Sequence, residues 1–116
     1  MRRIRKLIFY EDHYWEFFDS QSEKVKDKID SVLFLIAVAV RIPKMFFNKI
    51  IDHEGLYEIS IDFESNIYRI ICCFDEGSLI ILFNGFQKKT KSTPRKEIEK
   101  ALKIKDEYFE RKRKGA

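Results

Sequence analysis

Tyr68–Pro94 reads YRIICCFDEGSLIILFNGFQKKTKSTP, and the fold is decided here. Two apolar runs, 67–74 and 79–86, are rich in β-branched and aromatic residues. The short acidic turn Asp75-Glu76-Gly77-Ser78 separates them. That is the pattern of a β-hairpin. Both runs are apolar at odd and even positions, so both faces of the sheet need cover. The second run ends in Asn84-Gly85-Phe86-Gln87 and passes into Lys88, Lys89 and Lys91. Thr93-Pro94 then opens a helix, with Thr93 as N-cap and Pro94 at the first helical position.

Working outward, 56–63 alternates strictly. Tyr57, Ile59, Ile61 and Phe63 share one face; Leu56, Glu58, Ser60 and Asp62 share the other. Glu64-Ser65-Asn66 is a turn into the next strand. Residues 44–51 form a weaker strand candidate, and 4–10 a first strand. A short helix is expected over 12–19, with Tyr14, Trp15 and Phe18 on one face. Ser20-Gln21-Ser22-Glu23 fits a capping box, so a second helix starts there. Its apolar positions, Val25, Ile29, Val32, Leu33, Ile36, Ala37 and Val40, keep helical spacing. Beyond Val32 it is apolar all round and needs burial or a partner. Pro43 marks its end. After Pro94, Ile98, Ala101, Leu102, Tyr108 and Phe109 form one stripe, and 111–116 reads as a frayed basic tail. The order β-α-α-β-β-β-β-α defines an α+β class. It implies a mostly antiparallel sheet of about five strands, with two N-terminal helices and one C-terminal helix packed against it. The 116 residues read as one domain, 1–116.

Hydrophobic content of 45% and charged content of 36% fit a globular chain and exclude disorder. Net charge is +4, but residues 88–116 carry twelve Lys/Arg against five Asp/Glu, and the first 87 residues are net acidic. Such asymmetry fits a polyanionic partner, nucleic acid first, or a solvated helix face with a basic tail. The adjacent Cys72 and Cys73 point to opposite faces of a strand and are not expected to pair. Together with the lack of Cys/His ligand spacing, they suit a reducing, cytoplasmic setting without zinc. The basic start, MRRIRKLIFY, meets Glu11-Asp12 too soon for a signal peptide. The apolar run 32–40 is far short of the ~20 residues that span a bilayer, so no membrane is expected.

Arg69 is the sharpest chemical signal. It shares a strand face with Ile67, Ile71 and Cys73, where an unpaired cation is costly. It therefore needs a carboxylate, Glu58 or Asp62 on the neighbouring strand, or a bound phosphate. Lys88, Lys89, Lys91, Arg95 and Lys96 place five cations within nine positions. Arg95 and Lys96 oppose the helix dipole, a local cost that suits anion binding. Tyr68 and Phe86 can stack on bases or belong to the core. Asn84 shares a face with Leu82 and Phe86 on simple alternation; it can donate to a phosphate oxygen or end the strand. Glu58 is the carboxylate best placed to orient Arg69. His13 and His53 are isolated, and turn chemistry explains the loop around His53 better than a metal. No cofactor motif occurs. Cations, polar groups and one carboxylate suit metal-independent phosphodiester cleavage by an internal 2′-hydroxyl, whose transition state is anionic.

The run LYEISID…NIYRIICCFDEGSLIILFNGFQKKTKSTPRKEIEKA resembles the HigB-like, phage-derived branch of the RelE/ParE toxin superfamily over residues 56–103. The resemblance implies a RelE-like fold and the toxin of a type II toxin–antitoxin pair. Such toxins are ribosome-dependent endoribonucleases that cut mRNA in the A site. It also implies a cognate helix-turn-helix antitoxin, with an antitoxin-bridged dimer on operator DNA among the allowed assemblies. Arg69 matches the strand arginine that contacts the scissile phosphate in relatives, and Lys88, Lys89 and Lys91 match the basic cluster. Two positions depart from the pattern. Asn84 stands where many relatives carry His, and an amide cannot shuttle protons. Ser60 stands where relatives commonly carry Arg. These departures keep two other readings open: a non-catalytic ParE-like inhibitor of DNA gyrase, and a plain RNA-binding module.

Overall fold

A computed structural model describes residues 2–115. The elements follow the expected order: β1 (Lys6–Phe9), α1 (His13–Asp19), α2 (Glu23–Val38), β2 (Phe47–Lys49), β3 (Tyr57–Phe63), β4 (Asn66–Asp75), β5 (Leu79–Lys88) and α3 (Arg95–Gly115). The strands form one sheet in the order β1-β5-β4-β3-β2. β2 to β5 are antiparallel neighbours, while β1 runs parallel to β5 at the edge. The class is α+β, with a mixed sheet.

Each face of the sheet has its own core. On one face α1 and α2 bury Tyr14, Phe17, Ile29 and Ile36 against Ile59, Ile61, Ile70 and Leu82. On the other, α3 buries Ile98, Ala101 and Ile104 against Ile71, Cys73, Ile81 and Phe83. The continuous apolar character of β4 and β5 has its cause in this two-sided cover. Cys72 and Cys73 fall one into each core, both as buried free thiols. Burial pushes the Cys73 thiol up to about 11. At the tight β3–β4 turn, Glu64 and Ser65 both take left-handed backbone angles, φ 46° and 68°, the geometry of a type I′ hairpin.

Several local expectations are corrected. In α1 the buried residues are Tyr14 and Phe17, while Trp15 is exposed. Helical spacing pairs position 14 with 17 and 18, and Trp15 packs beside Phe9 and Tyr14 at the rim. The N-cap of α2 is Ser22, whose Oγ accepts from the Val25 amide at 3.3 Å. Ser20 instead donates its hydroxyl to the Phe17 carbonyl at 2.7 Å, finishing α1. α2 ends at Val38, before Pro43, where Arg5 reaches back to the carbonyls of Ile36 and Ala39 at 3.0 and 2.6 Å. Its apolar second half is only partly covered: Phe34 stays exposed beneath the Arg3 guanidinium. The segment expected to fray is helical through Gly115, held by Arg111 to Glu11 and by Lys112 to Asp75; Ala116 lies outside the described residues.

One irregularity shapes the site. Ile70 pairs with Gly85, but Cys72 pairs with Leu82. Ile71 therefore faces two residues, Phe83 and Asn84: a β-bulge on β5. Before it, Ile80 and Leu82 point to the α1/α2 core and Ile81 and Phe83 to the α3 core. After it the alternation is inverted, so Phe86 joins the α3 core. Gly85 turns under Phe17, where an added Cβ would lie 2.4 Å from the ring.

Candidate functional site, a cationic groove at the start of α3

α3 covers only part of its sheet face. Beyond its first turn lies a strip at the ends of β3, β4 and β5, in which Ser60, Arg69 and Phe86 are buried or nearly so and Asp62, Ile67 and Lys88 are more exposed. Across this strip the register aligns Ser60 with Arg69 and Arg69 with Phe86, and in the next row Asp62 with Ile67 and Ile67 with Lys88. Residues directly opposite share a face. Arg69 and Lys88 are thus diagonal neighbours on the α3 side, with Glu58 and Asp62 flanking Arg69 from β3.

The Arg69 side chain is 14% exposed. Its Nε stands 3.5 Å from Glu58 Oε1 and its Nη1 3.6 Å from Asp62 Oδ1. Neither is a close, aligned hydrogen bond, and Nε is buried without a hydrogen-bond partner. The one short contact is Nη1 donating to the Tyr68 carbonyl at 3.0 Å. The guanidinium is therefore neutralised by carboxylates but not saturated. Asp62 is largely exposed, while Glu58 is nearly buried and held. Glu58 Oε2 accepts from the Thr93 hydroxyl at 2.6 Å. Thr93 was expected to cap α3; its side chain instead ties the connection after β5 to the carboxylate that orients Arg69. Pro94 takes the cap place, its carbonyl accepting from the Glu97 and Ile98 amides at 3.0 and 3.2 Å.

Lys88, Lys91, Ser92 and Thr93 line a cavity of about 340 Å³ together with Glu58 and with Lys49, Ile50 and Ile51 from the end of β2. A second hollow of about 480 Å³ lies on the other side of the same connection, between Lys88–Lys91 and the β3–β4 turn at Ser65 and Asn66. Lys89 and Lys91 are exposed, as are Arg95 and Lys96 on the first turn of α3. Arg95 pairs loosely with Glu99 at 3.7 Å.

Three candidates do not reach this groove: Tyr68 and Phe86 as base-stacking residues, and Asn84 as a donor to the reacting phosphate. Tyr68 is 5% exposed and packs near Phe17 in the α1/α2 core, and Phe86 is 9% exposed in the α3 core. Neither presents a ring face to a base. Asn84 is 1% exposed, and the bulge turns it away from Leu82 and toward α3. Its Nδ2 donates to the Glu97 carbonyl and to Glu97 Oε1 at 3.2 and 3.0 Å. Asn84 thus anchors the start of α3, and its buried Oδ1 has no partner. Ser60, which departs from the arginine of the resembled pattern, is buried opposite Arg69. Sequence reading missed Lys49, from a strand of three residues, and the Thr93–Glu58 contact, which spans 35 positions.

Among the described residues no three His, Cys, Asp or Glu side chains gather as a metal site, and no helix is long and apolar enough to cross a membrane. No curated protein matches the chain. The family model described as phage derived protein Gp49-like matches residues 16–106, from α1 through most of α3. The matched region contains Glu58, Arg69, Lys88, Lys89, Lys91 and Thr93, and with them the whole groove. The chain belongs to the phage-derived Gp49-like family, a family of RelE/HigB-like toxin type.

Proposed function

We propose that this protein is the toxin of a type II toxin–antitoxin pair and acts as a ribosome-dependent endoribonuclease on mRNA in the A site. The observation that carries the reading is Arg69: a nearly buried guanidinium, ionically compensated yet without a short carboxylate hydrogen bond, diagonal to Lys88 on the α3 side of the sheet. Such a group lends its charge to a phosphate without first losing a short carboxylate hydrogen bond.

In the proposed reaction the 2′-hydroxyl of one nucleotide attacks the adjacent phosphorus. Its proton leaves, the P–O5′ bond breaks, and the 5′-oxygen takes up a proton. The products are a 2′,3′-cyclic phosphate and a 5′-hydroxyl. Arg69 and Lys88 stabilise the charge that grows on the phosphoryl oxygens, an effect of about 3–4 kcal/mol for one well-aimed donor. Lys89, Lys91, Arg95 and Lys96 hold the RNA backbone. Glu58 is a positioning residue, locked between Thr93 and Arg69. Asn84 is given no part in the chemistry. A cognate helix-turn-helix antitoxin is the proposed cellular partner, and the cytoplasm the proposed place of action.

The test is mRNA cleavage on programmed ribosomes, read by primer extension. Wild type is expected to cut within the A-site codon only when ribosomes are present. Arg69→Ala is expected to lower the rate by two to three orders of magnitude, on the order of the loss for one such donor, and Lys88→Ala/Lys89→Ala to raise the apparent KM. A folded wild type that leaves mRNA intact would remove the enzyme reading and turn attention to supercoiling by gyrase.

A further inference from the structure

The groove is wider than one phosphate needs. Arg69 is not among the residues lining the 340 Å³ cavity, which Lys88 and Glu58 share with Lys91 and Ser92 and with Lys49 and Ile51 from the end of β2. Its volume falls among small-ligand clefts of about 300–1,000 Å³. Three lysines line it against one carboxylate, Glu58, and that carboxylate is already compensated by Arg69 and the Thr93 hydroxyl. No ion pair is formed by Lys49, Lys88 or Lys91 among the described residues. Ile51, which also lines the cavity, is 84% exposed, a large apolar side chain left in water next to these cations.

We infer that this half of the groove is a second nucleotide subsite: Lys49, Lys91 and Ser92 hold the phosphate next to the one at Arg69, and Ile51 supports that nucleotide's base. The inference rests on the reading of the groove as an RNA site and deepens it. The substrate class it defines is a single strand presenting two consecutive phosphodiesters, not an isolated phosphodiester. Apolar contact reads no base edge, so the subsite is indifferent to sequence.

Binding of a fluorescent twelve-residue oligouridylate, followed from 25 to 200 mM salt, tests it together with ribosomal cleavage. One phosphate contact to a single strand contributes about 0.7 to the slope of log K against log salt. Lys49→Ala should flatten the slope by about that amount and raise the KM for cleavage with kcat preserved. Lys44→Ala, outside the groove, should change neither. Ile51→Ser should weaken binding without changing the slope. All three positions are exposed, and unchanged melting temperatures will show that the variants are folded. If wild type binds and cleaves while Lys49→Ala keeps the wild-type slope and KM, the second subsite is refuted and the reading of Arg69 stands. If wild type neither binds nor cleaves, both fall.

Discussion

Arg69 and Glu58 are each about 85% buried and compensate one another. Removing one partner leaves the other as a charge in a poorly hydrated place, at a cost of about 1–3 kcal/mol. Arg69→Ala is therefore expected to lower the melting temperature, and Arg69→Ala/Glu58→Ala to recover part of the loss. Additive losses in denaturant titrations would show that the two do not interact. Gly85 is constrained for a different reason. A methyl group there would meet the Phe17 ring at 2.4 Å, so Gly85→Ala should destabilise by about 1–3 kcal/mol through overpacking. Adding Phe17→Leu should restore part of it, and absence of rescue would place the strain in the bulge rather than in the ring. Arg69 could be singled out from sequence because a lone cation in an apolar strand is anomalous by itself. Asn84 could not be placed, since its direction depends on how its strand pairs.

At the scale of elements, α3 is fixed at both ends by side chains from the sheet. At its start Asn84 grips Glu97, and Thr93, just before the helix, grips Glu58. Thr93→Val keeps the shape but removes the hydroxyl. It is expected to loosen Glu58 and cut the cleavage rate, while Thr93→Ser preserves both the hydroxyl and the rate. A Thr93→Val variant with wild-type kcat would limit Thr93 to a structural role. Near the other end, Asp75 accepts from Lys112 and Tyr108, each at 2.7 Å. The Lys112 hydrogen bond is the main cause that holds the Asp75 carboxyl below its ordinary value, with Tyr108 adding to it. Burial, and then the same bond, push the Tyr108 phenol up to about 12. A depressed folded-state value stabilises above the unfolded carboxylate pKa of about 3.9 and is lost as pH falls through the folded one. Asp75→Asn should therefore melt below wild type at pH 7, with the gap closing below about pH 4. A gap independent of pH would mean that packing, not charge, holds this end. The helix was readable from its stripe; its firm end was not, because a run of Arg and Lys gives no hint of acceptors 37 and 100 positions away.

Over the whole molecule, the C-terminal excess of positive charge divides in two. α3 has 21 residues and is about 30 Å long, so its two ends cannot belong to one patch. Cations of the last turns are engaged: Lys112 with Asp75 and Glu76, Arg113 and Lys114 with Glu110. Lys88, Lys89, Lys91 and Lys96 form no ion pair among the described residues. The same residue types thus serve stability at one end and offer free charge at the other. Lys88→Ala/Lys89→Ala should flatten the salt dependence of oligouridylate binding by about 1.4 units of slope, whereas Arg113→Ala/Lys114→Ala should leave it nearly unchanged. Equal effects from both pairs would indicate a diffuse field instead of a groove.

The sequence by itself determined what short-range physics determines. Period-two and period-3.6 patterns specified five strands, three helices and their order, since each must bury one face or two. Apolar runs on both faces of β4 and β5 required cover on both sides. The basic connection and the anomalous Arg69 were visible as composition. Tertiary structure alone decided which of these meet. Strict alternation from Leu82 would send Lys88 to the α1/α2 side, away from Arg69. The bulge opposite Ile71 inverts the alternation, brings Lys88 beside Arg69, turns Asn84 into α3 and sets Gly85 under Phe17. A bulge is one residue of slip in pairing, favoured by the packing of two cores at once, and no local pattern in the chain encodes it.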